Sequence, residues 1–463
     1  MPLPSLIEIV PLAAPVRAEI TVPGSKSVTN RALILAALSD GLTTLNGALW
    51  SEDTQVMVEC LEKLGFEVRV DPDANESCNR TITVRGLGGK IPRGGTVEKP
   101  LELFVGNAGT AARFLAAMVC LGPGVYRLHG VPRMHERPQA ALFAALRELG
   151  YRVDSANDKL PAAIHGRDAF HRVPNSKQPE NGGAVERVPA RRCTVSVEES
   201  SQFASALLLS AEVGGWKIEV GGANDDELPY VEMTRQLISV FPKSGGIFEV
   251  EPDASSGSYV WAAHWLLNRS SHTSDSQIRV NLWPQSGWQI DEQFQKSIFG
   301  LLKLTYSISR KEDLGDSVLT AVVLAPLGCP QAAPDAELPG YKSTRFTDLG
   351  RLRVQECERV VALRTELTKC GAMVFETGDT LEVFPSELHG AEIETYNDHR
   401  MAMCFAILGL KVEGIKIKNP ACVKKTFPNF FQKLAAAPPK GLGATILDGH
   451  TGQPLSQADL FAD

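Results

Sequence analysis

No stretch of this 463-residue chain is apolar for long enough to cross a bilayer as a helix, which argues against an integral membrane protein of the helical kind. Cysteine pairing is missing as well. Nine cysteines, an odd number, show neither a Cys-x-x-Cys pair nor a Cys/His metal spacing, so no disulfide and no metal site are expected. The thiols read as small buried apolar side chains in a reducing compartment. Excess basic charge is absent too: 47 Lys and Arg against 54 Asp and Glu give a net charge of −7, which argues against nucleic acid or an anionic membrane surface as partner. Any anion site must then be a local concentration of cations. Met1 to Thr21 carries Glu8 and Glu19 and runs straight into strand-like alternation, so neither a secretory signal nor a transit peptide is expected, and the cytoplasm is the expected location. The rest is ordinary globular composition, 43% hydrophobic and 22% charged, long enough for two domains.

The most informative stretch lies near the N-terminus, Val22-Pro23-Gly24-Ser25-Lys26-Ser27-Val28-Thr29-Asn30-Arg31, followed by the apolar run Ala32 to Leu38. Turn chemistry followed by a run of helix length puts Lys26 and Ser27 near a helix N-terminus. A cation is unfavourable there by some tenths of a kcal/mol (roughly 0.3–1) unless an anion joins it. Ser27 and Arg31 stand four apart on one helical face, and with Lys26 they offer a hydroxyl, a guanidinium and an ammonium to a carboxylate or phosphate. An ordinary capped helix with solvated basic residues would use the same letters, and this stretch alone leaves both readings open.

Along the chain, Ile7 to Val22 reads as one or two short strands interrupted at Pro11 and Pro15, and Ser51-Glu52-Asp53-Thr54 as the acidic start of a helix Gln55 to Leu64. That helix stops on Leu64-Gly65-Phe66 and a strand follows at once. The same punctuation returns at Leu149-Gly150-Tyr151, after a helix Gln139 to Glu148, and at Cys370-Gly371-Ala372, after a helix Glu356 to Thr368. Weaker copies fall at Gly245-Gly246 and Leu302-Lys303-Leu304. A unit of helix, glycine stop and strand is thus repeated at uneven spacing, which predicts α/β domains assembled from several copies rather than a solenoid. His165 to Arg192, Pro326 to Ser343 and Arg269 to Ser276 lack periodicity and read as loops or insertions.

Hydroxyls and cations recur at helix starts. Gly106-Asn107-Ala108-Gly109-Thr110 precedes the apolar helix Ala111 to Leu121, and Arg133, His135 and Arg137 follow between two prolines; Arg133 and His135 read as solvated. Ser200-Ser201-Gln202 opens Phe203 to Leu209, Asp253-Ala254-Ser255-Ser256 has the same form, and Asp398-His399-Arg400 opens Met401 to Leu410. Asp316 starts another apolar helix, Glu356 and Arg359 are expected to share a helical face, and Lys424-Lys425 lies near the end. The recurrence favours a substrate carrying several negative charges.

Together these segments resemble the 5-enolpyruvylshikimate-3-phosphate (EPSP) synthases over nearly the whole chain: PGSKSVTNRA at 23–32, GNAGTA at 106–111, PRMHERP at 132–138, SSQF at 200–203, DASSGSY at 253–259, NDHRMAM at 397–403 and KKTFP at 424–428. The resemblance implies an α/β fold of two similar domains, an inverse α/β barrel with three βαβαββ copies in each and the active site in the cleft between them. One domain would be 24–251, inserted into the other, 1–23 plus 252–463. It further implies phosphoenolpyruvate contacts at Lys26, Gly109, Arg137, Gln202, Arg359, Arg400 and Lys425. Shikimate 3-phosphate contacts would come from Lys26, Ser27, Arg31, Ser200, Ser201, Gln202, Tyr230 and Asp316, with Arg351 and Gln355 at the positions of two further contacts. Asp316 would take the proton of the attacking hydroxyl, Glu356 would protonate the enolpyruvyl methylene, and Lys26 would assist. No cofactor and no metal are implied, and a monomer is expected. Gly109 stands where bulkier residues confer glyphosate tolerance in the family, so inhibition by glyphosate is expected.

Three positions depart from the family pattern. Glu227 stands where a serine is usual, and Arg351 and Gln355 replace an asparagine and a lysine. Arg351 could replace the missing lysine or pair with Glu227, or the acceptor could differ from shikimate 3-phosphate. UDP-N-acetylglucosamine enolpyruvyl transferase and a non-catalytic paralogue are the other readings; the shikimate-type motifs argue against the first, and intact Lys26, Asp316 and Glu356 against the second.

Overall fold

A computed structural model describes residues 3–167, 191–222, 228–268, 276–300, 307–328 and 343–462. The chain forms two compact units. One consists of Lys26–Asp73 and Arg80–Val250 (the inserted unit); the other is discontinuous, made of Met1–Ser25, Ala74–Asn79 and Glu251–Asp463. The excursion of Ala74–Asn79 is announced by no punctuation in the sequence.

The inserted unit contains helices α1 (Lys26–Leu38), α2 (Glu52–Lys63), α3 (Gly109–Met118), α4 (Pro132–Glu136), α5 (Ala140–Glu148), α6 (Ser201–Gly214) and α7 (Leu228–Val240). The apolar runs of α1, α3 and α6 are buried on nearly every face, as a helix without a polar stripe must be, whereas α2 and α5 keep a polar side in water. One sheet shows the repeat plainly. The strand Leu101–Phe104, α3, the strand Val125–His129, α5 and the strands Arg152–Asp154 and Ala162–His165 follow in chain order. In space the strands lie first, second, fourth, third, the first two parallel and the others antiparallel. A parallel pair needs a crossover, and α3 supplies it.

The discontinuous unit carries α8 (Ala254–Asn268), α9 (Phe294–Gly300), α10 (Val318–Leu324), α11 (Arg359–Lys369), α12 (His399–Gly409) and α13 (Phe430–Ala435). Its sheet Ser307–Ser309, Thr344–Thr347, Thr380–Phe384, Met373–Thr377 repeats the same order and the same directions, with α10 and α11 as the crossovers. A further four-stranded sheet in each unit has its own order, fourth, first, third, second in the inserted unit and second, third, first, fourth in the discontinuous one, counted along the chain, and each unit adds one parallel pair of strands. Tyr259 and Trp265 of α8, Phe405 of α12 and Phe430 of α13 belong to one continuous buried core.

The glycine punctuation corresponds to one device used three times. Gly65, Gly150 and Gly371 follow α2, α5 and α11 with φ of 93°, 85° and 91°, the left-handed region that a side chain disfavours. In each case the glycine N–H bonds back to the carbonyl of Glu62, Arg147 or Thr368, and the next N–H to that of Leu61, Leu146 or Leu367. This double closure satisfies carbonyls that a helix end leaves open and sends the chain into the following strand.

Some boundaries differ from the sequence reading. Glu356 lies in the loop before α11, not on it; the helix starts at Arg359, where the Glu358 carboxylate caps the Val361 N–H at 2.5 Å. The aperiodic stretches 168–190, 269–275 and 329–342, and Leu302-Lys303-Leu304, lie outside the described residues. Arg191 and Arg192, read as the end of an insertion, already belong to the strand Arg191–Ser196.

Candidate active site

In the inserted unit the predicted residues are organised around Arg31. Its guanidinium donates to Thr234 Oγ1 at 2.7 Å, the Ser27 carbonyl at 2.9 Å, Ser205 Oγ at 3.1 Å and the Tyr230 carbonyl at 3.3 Å, and lies 5.3 Å from the centre of the Phe114 ring. Arg31 is the sixth residue of α1, Phe114 the sixth of α3, Ser205 the fifth of α6 and Thr234 the seventh of α7. At ~1.5 Å per residue, each of the four helices therefore reaches Arg31 about 6–9 Å along its axis from its first residue. The first turns of α1, with Lys26 and Ser27, of α3, with Gly109, and of α6, with Ser201 and Gln202, are helix N-termini, which favour an anion. Burial pulls the Arg31 pKa down to about 10, because the partners named here are neutral groups that cannot balance the charge.

Of the other residues predicted for this unit, Lys26, Gly109, Ser200, Ser201 and Gln202 sit at helix starts, and Arg137 follows the end of α4. Lys26 opens α1, and its ammonium lies 3.3 Å from the Asp53 carboxylate in the first turn of α2. Ser200 is the N-cap of α6 and accepts the Gln202 N–H at 3.3 Å, with Ser201 buried beside it. Gln202 takes a 2.5 Å bond from Arg113, a buried arginine of α3. Arg137 donates to the Asn107 carbonyl at 3.1 Å and presses on Gly109, where an added Cβ would fall 2.6–2.7 Å from the guanidinium. Gly109 is thus required for a close approach, not for its backbone angle.

The discontinuous unit holds a second cluster. Asp316, just ahead of α10, faces Arg400 Nη2 at 3.1 Å, Arg310 Nη2 at 3.6 Å and Arg359 Nη1 at 3.9 Å. Glu356 pairs with Arg359 and with Lys425, each at 2.8 Å. Asp398, fully buried, holds Arg359 Nε at 2.7 Å while capping α12 through the Arg400 N–H at 2.9 Å, and Arg400 also donates to Ser255 Oγ at 3.1 Å. One carboxylate thereby fixes two of the predicted phosphoenolpyruvate ligands. Burial alone would raise the pKa of Asp316, but Arg400, Arg359 and Arg310 outweigh it and hold the carboxyl far below the usual range, Glu356 opposing them weakly. Its Oδ1 accepts no hydrogen bond among the described residues.

Chemically, the second cluster joins two carboxylates suited to proton transfer to four cations suited to a multiply charged anion. While the arginines lack another anion, Asp316 is a weak base. Gln355 is tied to Arg359 through its side-chain oxygen, and Arg351 lies in the turn Gly350–Val354. Glu227, the third departure, lies outside the described residues. Asp53, Arg113, Arg310 and Asp398 were not singled out by sequence reasoning; a lone arginine inside the apolar run after Gly109 and an aspartate directly before His399-Arg400 were the available signals for two of them. Arg133 pairs with Glu136 at the surface, in keeping with its solvated reading. Among the described residues no group of three or more His, Cys, Asp or Glu side chains could hold a metal ion, and no helix is long and apolar enough to cross a membrane.

A sequence profile of EPSP synthase (3-phosphoshikimate 1-carboxyvinyltransferase) matches residues 11–270 and 311–434. A 3-phosphoshikimate 1-carboxyvinyltransferase of Opitutus terrae is 37% identical over 474 residues, 96% of this chain and all of that enzyme. One of Trichormus variabilis is 35% identical, covering 92% of this chain and 98% of the relative. Among solved structures, EPSP synthase from Acinetobacter baumannii superposes with a TM-score of 0.61 at 18% identity over 95% of this chain and 99% of its own. The enolpyruvyl transferase NikO from Streptomyces tendae gives the same TM-score at 15% identity, covering 96% of this chain and 99% of its own. With most of its length matched by the profile and by relatives above 30% identity, the chain belongs to the EPSP synthase (3-phosphoshikimate 1-carboxyvinyltransferase) family.

Proposed function

We propose that the protein transfers the enolpyruvyl group of phosphoenolpyruvate to the 5-hydroxyl of shikimate 3-phosphate and releases phosphate, a step of aromatic amino acid biosynthesis. The observation that carries the reading is Asp316 held among Arg310, Arg359 and Arg400 with Glu356 bridging Arg359 and Lys425. A trianionic donor seated on Arg359, Arg400 and Lys425 partly neutralises the guanidiniums, returns proton affinity to Asp316 and frees Glu356 from its ion pairs. Asp316 then accepts the hydroxyl proton as the oxygen adds to C2, and Glu356 delivers a proton to C3. In the elimination Glu356 takes a C3 proton back as the C2–O bond to phosphate breaks, and the proton held by Asp316 leaves with the phosphate. Each charge-assisted bond contributes only ~1.5–3 kcal/mol net, which is why so many donors are gathered.

On this reading Lys26, Gly109, Arg137 and Gln202 complete the donor's contacts. Ser27, Arg31, Ser200, Ser201 and Tyr230 hold the acceptor, Arg31 taking its carboxylate and the serine pair its phosphate, with Arg351 and Gln355 as further acceptor neighbours. Glyphosate, a phosphoenolpyruvate mimic, inhibits, because Gly109 leaves Arg137 its place. A monomer in the cytoplasm completes the proposal. Calorimetric titration with shikimate 3-phosphate, followed by phosphoenolpyruvate with phosphate recorded, tests it. Micromolar binding with turnover is expected; a folded protein that releases no phosphate with both substrates at millimolar concentration overturns it.

A further inference from the structure

One buried carboxyl beside Asp316 has no part in the scheme above. Asp291 lies in the short turn Ile290–Gln293, 6% exposed, and its Oδ1 accepts the Ser317 backbone N–H at 2.7 Å. Its other oxygen lies against Gly315, where an added Cβ would fall 2.9 Å from Asp291 Oδ2 and 2.6 Å from Ile290 Cγ2. A single carboxyl therefore touches the residues on both sides of Asp316. It lies between the two stretches matched by the family profile, 11–270 and 311–434.

Charged groups reach Asp291 from two neighbouring elements: Asp316 from the turn before α10 and Arg400 from α12, the latter also acted on by Asp253 ahead of α8. Burial first, and then the charge of Asp316, push Asp291 up to about 6, with Ser317 and Arg400 pulling the other way. The arginines drive Asp316 in the opposite direction. Two adjacent carboxyls pulled apart in this way titrate as a pair, so the charge on one sets the basicity of the other.

We propose that Asp291 is a positioning residue: its carboxylate clamps the Gly315–Asp316–Ser317 turn, and its negative charge returns to Asp316 part of the proton affinity that the arginines remove. The role rests on Asp316 being the base of the proposed reaction. Asp291→Asn keeps an oxygen for the Ser317 N–H and removes the charge. It is expected to lower kcat about 10–100-fold, with KM for both substrates changed less than about threefold, and to abolish the acid limb of the kcat–pH profile near pH 6. Gly315→Ala crowds the clamp without changing a charge, and is expected to lower kcat while keeping that limb.

A readout independent of turnover is proton uptake on binding inorganic phosphate at pH 6, measured by calorimetry in buffers of different ionisation enthalpy. An anion beside Arg400 raises the proton affinity of Asp291, so the native protein is expected to take up more protons than Asp291→Asn. Native kcat and pH profile in a folded Asp291→Asn, or equal proton uptake by the two proteins, overturns the proposal. Should Asp291→Asn not fold, a native kcat in Gly315→Ala overturns the clamp. Absence of turnover in the native protein would instead count against the proposed reaction, and the proton-uptake comparison would still decide the role of the charge.

Discussion

At the scale of single residues, neighbouring carboxyls carry opposite electrostatic signs. Asp291 is raised to about 6 by burial and by Asp316, so it contributes stability below the ordinary carboxylate range that is lost as pH rises through about 6. Asp316 is depressed, since its arginines outweigh its burial, and so contributes stability that is present above the ordinary range and lost in acid. Scanning calorimetry at pH 8 should therefore show Asp291→Asn melting above the native protein, an advantage that shrinks towards pH 5, and Asp316→Asn melting below it; shifts of the same sign would contradict the assignment. Gly109→Ala should push the Arg137 guanidinium from its place, raising KM for phosphoenolpyruvate and, more strongly, the glyphosate concentration needed for inhibition. Unchanged values for both would mean that Arg137 does not serve the donor. Sequence made Lys26 visible as a cation at the wrong end of a helix, but its partner Asp53 read as mere capping, because the contact depends on how α1 and α2 pack.

At the scale of elements, the ends were more legible than the middles. A glycine stop is local chemistry, so all three appear where the sequence places them, with matching backbone closures. Their costs should nevertheless differ. Gly150→Ala meets nothing within 4 Å and is expected to cost about 1 kcal/mol for the left-handed backbone alone, whereas Gly65→Ala also meets Arg93 Cγ and Pro92 Cβ at 2.9 Å and should cost clearly more in denaturant melts. Equal costs would show that the neighbours give way freely. Ser200→Ala, which removes the cap of α6, should cost about 0.5–2 kcal/mol. Glu356 was misplaced because a three-residue spacing to Arg359 suits a helix face; Glu358, not Glu356, forms the cap, and the spacing survives as an ion pair across the helix start.

At the scale of the whole chain, the repeated α/β unit was readable from its punctuation, whereas the excursion of Ala74–Asn79 was not. That segment is secured by long-range contacts: buried Glu76 accepts from Asn429, 353 residues away, at 2.6 Å and pairs with Lys433 at 2.7 Å. No local pattern encodes such a contact. Glu76→Ala removes the carboxylate from Lys433 and leaves Asn429 Nδ2 with Ser77 Oγ at 3.0 Å, and should lower the stability of the discontinuous unit by several kcal/mol (about 3–5) in chemical denaturation; a change under about 1 kcal/mol would mean that the segment is held by its backbone. Acceptor identity is likewise beyond local reading, since it turns on Arg351 and Gln355 jointly, and Gln355 spends its oxygen on Arg359.

The central claim is the reaction itself, and phosphorus-31 NMR of the protein with phosphoenolpyruvate and shikimate 3-phosphate tests it most directly. The account expects both substrate signals to decline together, replaced by equal amounts of inorganic phosphate and one new phosphomonoester. Two unchanged substrate signals, or inorganic phosphate formed from phosphoenolpyruvate alone, would contradict it.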